Sequence, residues 1–163
     1  DLAIKLFNEI SQNIKGSKFK IIGPDCGSLN ELLKIREDLN LTKSVEFLSP
    51  MNIAQIKEDA KNYTFFLQLS SEEGLGMSVL ESMQLGLIPI VTNVGEIKNY
   101  CLDNKNAIIF KNVDTTKNII TKLLKNKKQM NYLRENAIQT WISKKTYKEN
   151  LMEEIEKLIE IND

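Results

Sequence analysis

Apolar positions follow two alternating patterns from one end of the chain to the other. Leu2, Leu6, Phe7, Ile10 and Ile14 recur at helical spacing, so the chain opens inside a helix. Residues 18–22 read as a short strand stopped by Gly23-Pro24. Ser28 and Glu31 have capping-box spacing ahead of a helix carrying Leu29, Leu32, Leu33 and Leu39. A second strand falls at 45–48. Asn52 reads as the N-cap of a helix with Ile53, Ile56 and Ala60. Residues 65–69 form a third strand that runs into a Ser/Glu/Gly turn. A helix is expected at 77–85, a strand at 88–92, a short helix at 97–101 and a fifth strand at 107–110. Three helices then follow, at 114–126, 128–141 and 144–161.

The strands are short and continuously apolar instead of alternating. That is the pattern of a parallel sheet covered by helices on both faces. No repeat, low-complexity tract or linker breaks the run, so residues 1–163 are expected to form a single Rossmann-like, doubly wound α/β domain. Such a domain begins with a strand that lies centrally in the order 3-2-1-4-5-6. This chain begins with a helix. Its first strand is therefore expected to be missing, and the sequence to be one half of a longer protein. Strands 18–22 and 65–69 then flank the missing position, where the sheet should show a gap, a distorted closure or a strand from upstream residues.

Composition narrows the function. Among 163 residues there are 22 Lys plus Arg and 22 Asp plus Glu, giving no net charge, and there is no His. The lack of His removes Ser-His-Asp and Cys-His systems and nearly all catalytic zinc sites. Charge neutrality argues against a dedicated nucleic-acid binder. Cys26 and Cys101 form no Cys-x-x-Cys pair, and no signal peptide is evident. Both are read as reduced thiols of a cytoplasmic protein, with any membrane contact peripheral. The longest apolar stretch, residues 85–91, is too short to cross a bilayer.

The chemistry concentrates in Ser70-Ser71-Glu72-Glu73-Gly74-Leu75-Gly76-Met77-Ser78-Val79-Leu80-Glu81, directly after a strand and opening a helix. Ligands of open parallel sheets bind at the carboxyl ends of the strands. Gly74 and Gly76 admit close approach of backbone to ligand. The amides of Gly76, Met77 and Ser78, at a helix N-terminus, suit an anion such as phosphate. Glu73 and Glu81 make poor phosphate ligands and good acceptors for sugar or ribose hydroxyls flanking a diphosphate. The plainer reading is a common Gly-x-Gly turn with Glu73 complementing the helix dipole. Lys125, Lys127 and Lys128 read as a solvated helix junction, Trp141 as core and Cys26 as a small filler beside the cleft. No Asp-x-Asp sequence occurs, so no metal is expected.

Glu73-Gly74-Leu75-Gly76 followed by Glu81 resembles the Glu, seven residues, Glu signature of retaining GT-B glycosyltransferases of family four, the relatives of glycogen synthase and mannosyltransferases. Residues 22–29 resemble that family's glycine turn. Val45-Glu46-Phe47-Leu48-Ser49-Pro50 resembles its Val-x-Phe-Leu-Gly segment, and residues 80–91 its Leu-Glu-Ala-Met-Ala-x-Gly-x-Pro-Val-Val stretch. The resemblance covers residues 1 to about 141.

The resemblance implies the C-terminal, donor-binding half of a GT-B enzyme. In it Glu73 holds donor-sugar hydroxyls and is the catalytic residue. Gly74, Leu75, Gly76, Met77 and Ser78 hold the sugar and diphosphate through their amides. Gly23 belongs to the glycine turn, Glu81 accepts the ribose hydroxyls, and the backbone at Leu48 to Met51 borders the nucleobase. The donor is a nucleoside-diphosphate sugar and the acceptor a glycan or lipid-linked glycan held by an N-terminal domain, without which this half is expected to be inactive. An Arg and a Lys that neutralise the diphosphate are expected just upstream of Asp1. The family's Gly-Gly-x-Pro-Glu loop reads Gly95-Glu96-Ile97-Lys98-Asn99 here, and Leu69 stands where Pro is usual. A sugar-nucleotide epimerase of the same architecture and a non-catalytic nucleotide-binding α/β module remain as alternatives.

Overall fold

The computed structural model describes residues 1–142. The helix expected over 144–161 lies outside them. The elements run α1 (Leu2–Asn13), β1 (Phe19–Ile22), α2 (Leu29–Asp38), β2 (Val45–Leu48), α3 (Ile53–Ala60), β3 (Phe65–Gln68), α4 (Met77–Gln84), β4 (Ile88–Val91), α5 (Ile97–Tyr100), β5 (Ile108–Ile109), α6 (Val113–Leu124) and α7 (Lys127–Ile142). The alternation is the one the periodicity predicts, and every strand pairing is parallel. The fold is the Rossmann-like α/β class.

The strands form two ladders, β1-β2 and β3-β4-β5. Among the described residues no ladder joins the two, so the sheet is interrupted, as the expected gap requires. Helix α1 bridges the two halves. Its Ile4 and Phe7 pack with Leu41 and Val45 over β1 and β2. Leu6 and Ile10, on another face of the same helix, pack with Ile88, Ile90 and Ile108. Lys117 of α6 adds an ion pair to Glu9 at 3.2 Å.

β4 is buried along its whole length, as a strand with neighbours on both edges and helices on both faces must be. It nevertheless contains Pro89. Ile88 N donates to Thr64 O and Thr92 N to Gln68 O, so the even-numbered amides turn toward β3. Pro89 turns toward β5, whose pairing begins only at Ile90 opposite Ile108. The missing N–H therefore removes no ladder bond.

Helix ends decide where the loops begin. Asn52 caps α3, accepting from Gln55 N at 3.0 Å while Gln55 Oε1 accepts from Asn52 N at 2.9 Å. The capping box expected at Ser28 does not form. Ser28 already has near-helical torsions (φ −102°, ψ −4°) and makes no side-chain cap. Asp25 takes over, its Oδ1 accepting from Gly27 N at 2.7 Å and Leu29 N at 3.2 Å. A carboxylate that accepts from backbone amides two and four residues on closes an Asx-type turn into the helix start. At the far end of α4, Gly86 (φ +72°) closes a Schellman motif, with Leu87 N bonded to Ser82 O and Gly86 N to Met83 O. That stop turns the chain directly into β4.

Candidate functional site

Two groups of expected site residues lie at carboxyl ends of strands, one group on each ladder. Beyond β1 and β2, Gly23 and Leu48 line a cleft of about 420 Å³ together with Pro24, Asp25, Ser49 and Pro50. Gly23 N donates to Leu48 O at 3.1 Å, which carries the ladder one step past β1. Met51, half-buried, follows Pro50 and is not part of that lining. Cys26 also lines the cleft, but it is exposed, so it fills no core space. Its turn lies beyond the strand ends, outside all three hydrophobic clusters.

Beyond β3 lies the loop from Ser70 to Gly76. Glu73 is half-buried there. Its Oε1 accepts from Gln68 Nε2, at the end of β3, and from Ser70 Oγ at 3.1 Å. Gly76 is the N-cap of α4 in the left-handed region (φ +69°, ψ +52°). The first α4 bonds run from Val79 N and Leu80 N to Gly76 O. The amides of Met77 and Ser78 therefore precede the helical ladder, as an anion-binding helix start requires. Leu75, Met77, Ser78 and Glu81 are exposed, with Glu81 just over one turn into α4. Gly74 is exposed and Gly76 buried. The cleft beyond β1 and β2 has none of these residues in its lining.

The loop is held from behind by the segment after β4. Thr92 Oγ1 donates to Ser70 O, and Glu96 N donates to Gly74 O at 3.0 Å. The buried Tyr100 hydroxyl donates to Leu75 O at 2.7 Å and lies 3.2 Å from Gly76 O. Asn106, itself buried, fixes Tyr100 in turn by donating to its carbonyl at 2.7 Å. Two glycines permit this contact. A Cβ on Gly76 would lie 2.7 Å from the Tyr100 hydroxyl, and one on Gly95 only 1.9 Å from Glu73 O. Burial, reinforced by the neighbouring Cys101, Glu73 and Glu96, pushes the Tyr100 hydroxyl well above the ordinary tyrosine range. It therefore remains a neutral donor.

Gln68, Ser70, Thr92, Tyr100 and Asn106 were not legible as site residues from sequence. Ser70 and Gly95 stood inside motifs without a role. Gln68 carries the one usable signal, an amide in an otherwise apolar strand. Electrostatically this half of the site is acidic: no Lys or Arg occurs between Asn62 and Ile97, while Glu72, Glu73, Glu81 and Glu96 do. The α4 N-terminus supplies the local positive potential.

The family model described as glycosyl transferases group 1 matches residues 1–140. The chain belongs to that family. Among curated proteins none matches it in sequence. Solved structures share the fold of this group 1 domain. A TarM point mutant from S. aureus, in complex with fondaparinux, alpha-GlcNAc-glycerol and UDP, superposes with TM-score 0.82 at 20% identity, over 96% of this chain and 32% of that one. The C-terminal domain of a group 1 glycosyl transferase (LpcC) from Francisella tularensis gives 0.73 at 18% identity, over 88% and 79%. The pneumococcal O-GlcNAc transferase GtfA, in complex with UDP and GlcNAc, gives 0.77 at 18%, over 98% and 32%. This group 1 chain thus spans about a third of the length of TarM and GtfA.

Proposed function

We propose that this chain is the donor-binding domain of a retaining glycosyltransferase, which moves a sugar from a nucleoside-diphosphate sugar to a glycan or lipid-linked glycan acceptor. The observation that carries the reading is the single β3–α4 connection. It places a tethered carboxylate, Glu73, one short turn before the N-terminal amides of α4, with an exposed carboxylate, Glu81, just beyond. A diphosphate suits the amides, and hydroxyl-bearing groups on either side of it suit the two carboxylates. Membership of the group 1 family favours transfer over epimerisation or mere nucleotide storage. The UDP in the TarM and GtfA structures makes a uridine nucleotide the first donor to test.

In the reaction the bond between the anomeric carbon and the diphosphate oxygen breaks, and its electron pair leaves on the phosphate. The acceptor oxygen bonds to the anomeric carbon on the same face, and its proton passes to that phosphate. The chain contributes positioning and charge stabilisation, without a histidine base. Glu81 grips a part of the donor that does not change, so it binds ground and transition states alike. Glu73 faces the sugar, where positive charge develops.

The test separates the two in the full-length enzyme. Losing a charged hydrogen-bond partner costs about 1.5–3 kcal/mol, roughly ten- to a hundredfold. Glu81→Ala should raise the donor KM by that factor with a smaller change in kcat. Glu73→Gln should lower kcat by that factor and leave bare UDP affinity nearly unchanged. Loss of UDP binding in Glu73→Gln with normal binding in Glu81→Ala would reverse the two roles.

A further inference from the structure

The two oxygens of the Glu73 carboxylate are not equivalent. Gln68 Nε2 and Ser70 Oγ both donate to Oε1, and among the described residues nothing donates to Oε2. Ser70 is itself anchored, because its carbonyl accepts the Thr92 hydroxyl. Gln68 stands at the last position of β3, in register with Val91, and Thr92 N bonds its carbonyl. Its amide therefore sits on the ladder, not on a mobile loop. An ionised carboxylate has about four lone-pair sites, and two donors satisfy one oxygen. Among the described residues no Lys or Arg forms an ion pair with Glu73 that would compete for the other.

We propose that Gln68 is a positioning residue, which commits one oxygen of Glu73 to the protein so that Oε2 alone receives the donor sugar. The proposal rests on the assignment of Glu73 to the donor sugar. An untethered glutamate samples several rotamers and can swing either oxygen to a ligand. Here the Gln68 amide, with Ser70, holds the carboxylate plane at a fixed angle to β3. Glu73 then takes one sugar hydroxyl through one oxygen, at a place set by the sheet. Preorganisation of this kind matters where geometry is most demanding, in the transition state. It contributes nothing to holding the nucleotide.

The experiment uses the full-length enzyme with UDP-glucose, UDP-N-acetylglucosamine, GDP-mannose and ADP-glucose. Release of the nucleoside diphosphate is followed with water as acceptor, and UDP, GDP and ADP affinities are measured by titration calorimetry. Gln68→Met keeps length and volume and deletes the donor; it should lower kcat about tenfold, with diphosphate affinity within about twofold of wild type. Gln68→Glu, which adds a like charge beside Glu73, should be slower still. Ser70→Ala removes the longer of the two bonds and should show a weaker form of the same split, which keeps the test available if a Gln68 variant fails to fold. Wild-type turnover in Gln68→Met, with Glu73→Gln impaired, overturns the positioning role and leaves the Glu73 assignment standing. Equal losses of turnover and of diphosphate affinity also overturn it, since they mark a merely structural residue. Wild-type turnover in both Glu73→Gln and Gln68→Met overturns the Glu73 assignment itself.

Discussion

Gly95 offers the sharpest test of how the site is held, because the strain of replacing it can be worked from geometry. A methyl group there would lie 1.9 Å from Glu73 O and 2.7 Å from Gly74 O, both backbone atoms that cannot swing aside. Opening the first contact to the 3.0 Å that real Cβ atoms respect requires the two loops to part by about 1.1 Å. The left-handed torsion at Gly95 (φ +52°) adds its own penalty. An L-residue pays roughly 1–2 kcal/mol there, and overpacking adds about 1–3 kcal/mol. Gly95→Ala should thus destabilise the domain by about 2–5 kcal/mol, read as a lowered urea midpoint. The displaced atom is the carbonyl of the very residue assigned to the donor sugar. A misplacement of about 1 Å can cost roughly a hundredfold in rate, so kcat should fall by about that factor in the variant that remains folded. A Gly95→Ala enzyme with both urea midpoint and kcat at wild-type values would refute the idea that these loops interlock.

Two further outcomes follow from the buried groups behind the loop. Tyr100→Phe deletes the donor to Leu75 O and should weaken bare UDP binding by about 1 kcal/mol, roughly fivefold in calorimetry, because Leu75 and Gly76 lose their anchor. Burial pushes the Cys101 thiol from 9.0 up to about 12, so its contribution to stability is complete below about pH 9 and is lost as pH rises from there toward 12. Between pH 9 and 10 stability should therefore fall by up to about 1.4 kcal/mol per unit, a slope that Cys101→Ala should flatten in urea titrations. Tyr100 is raised in the same sense from 10.0, so its own loss begins above that window.

Most of the secondary structure was legible because its signals are local. Apolar runs bounded by Gly and Pro mark the strands, and Asn52 three residues before Gln55 marks a real cap. The Ser28 box misled because Asp25, three residues earlier, organises the turn by accepting from Gly27 N and Leu29 N, and Ser28 enters the helix with near-helical torsions, which spacing alone does not reveal. The signature residues Glu73 to Glu81 were legible because a strand-turn-helix connection is contiguous in sequence. What holds them was not. Thr92, Gly95 and Tyr100 reach the loop across 20 to 25 positions of chain, through pairing of β3 with β4. No periodicity encodes such a contact. Tyr100 reads as one more apolar residue of a short helix until the fold brings its hydroxyl to Leu75 O.

The pattern of those contacts also bears on how an acidic loop would present the anion site proposed for it. The segment after β4 acts almost wholly on carbonyls: Thr92 on Ser70 O, Glu96 N on Gly74 O and Tyr100 on Leu75 O, with Gly95 close-packed on Glu73 O. A trans peptide is planar, so the C=O of one residue and the N–H of the next point in opposite directions. Turning the carbonyls of Gly74 and Leu75 back onto the Glu96 amide and the Tyr100 hydroxyl therefore turns the amides of Leu75 and Gly76 away from them. Those amides are continuous with those of Met77 and Ser78 at the start of α4. The result is a short row of donors made by backbone alone, in a stretch without Lys or Arg. Glu73 stands beside that row with its Oε1 bonded to Gln68 and Ser70. The glycines at 76 and 95 are thus required less for loop freedom than for the close approach that aims the row.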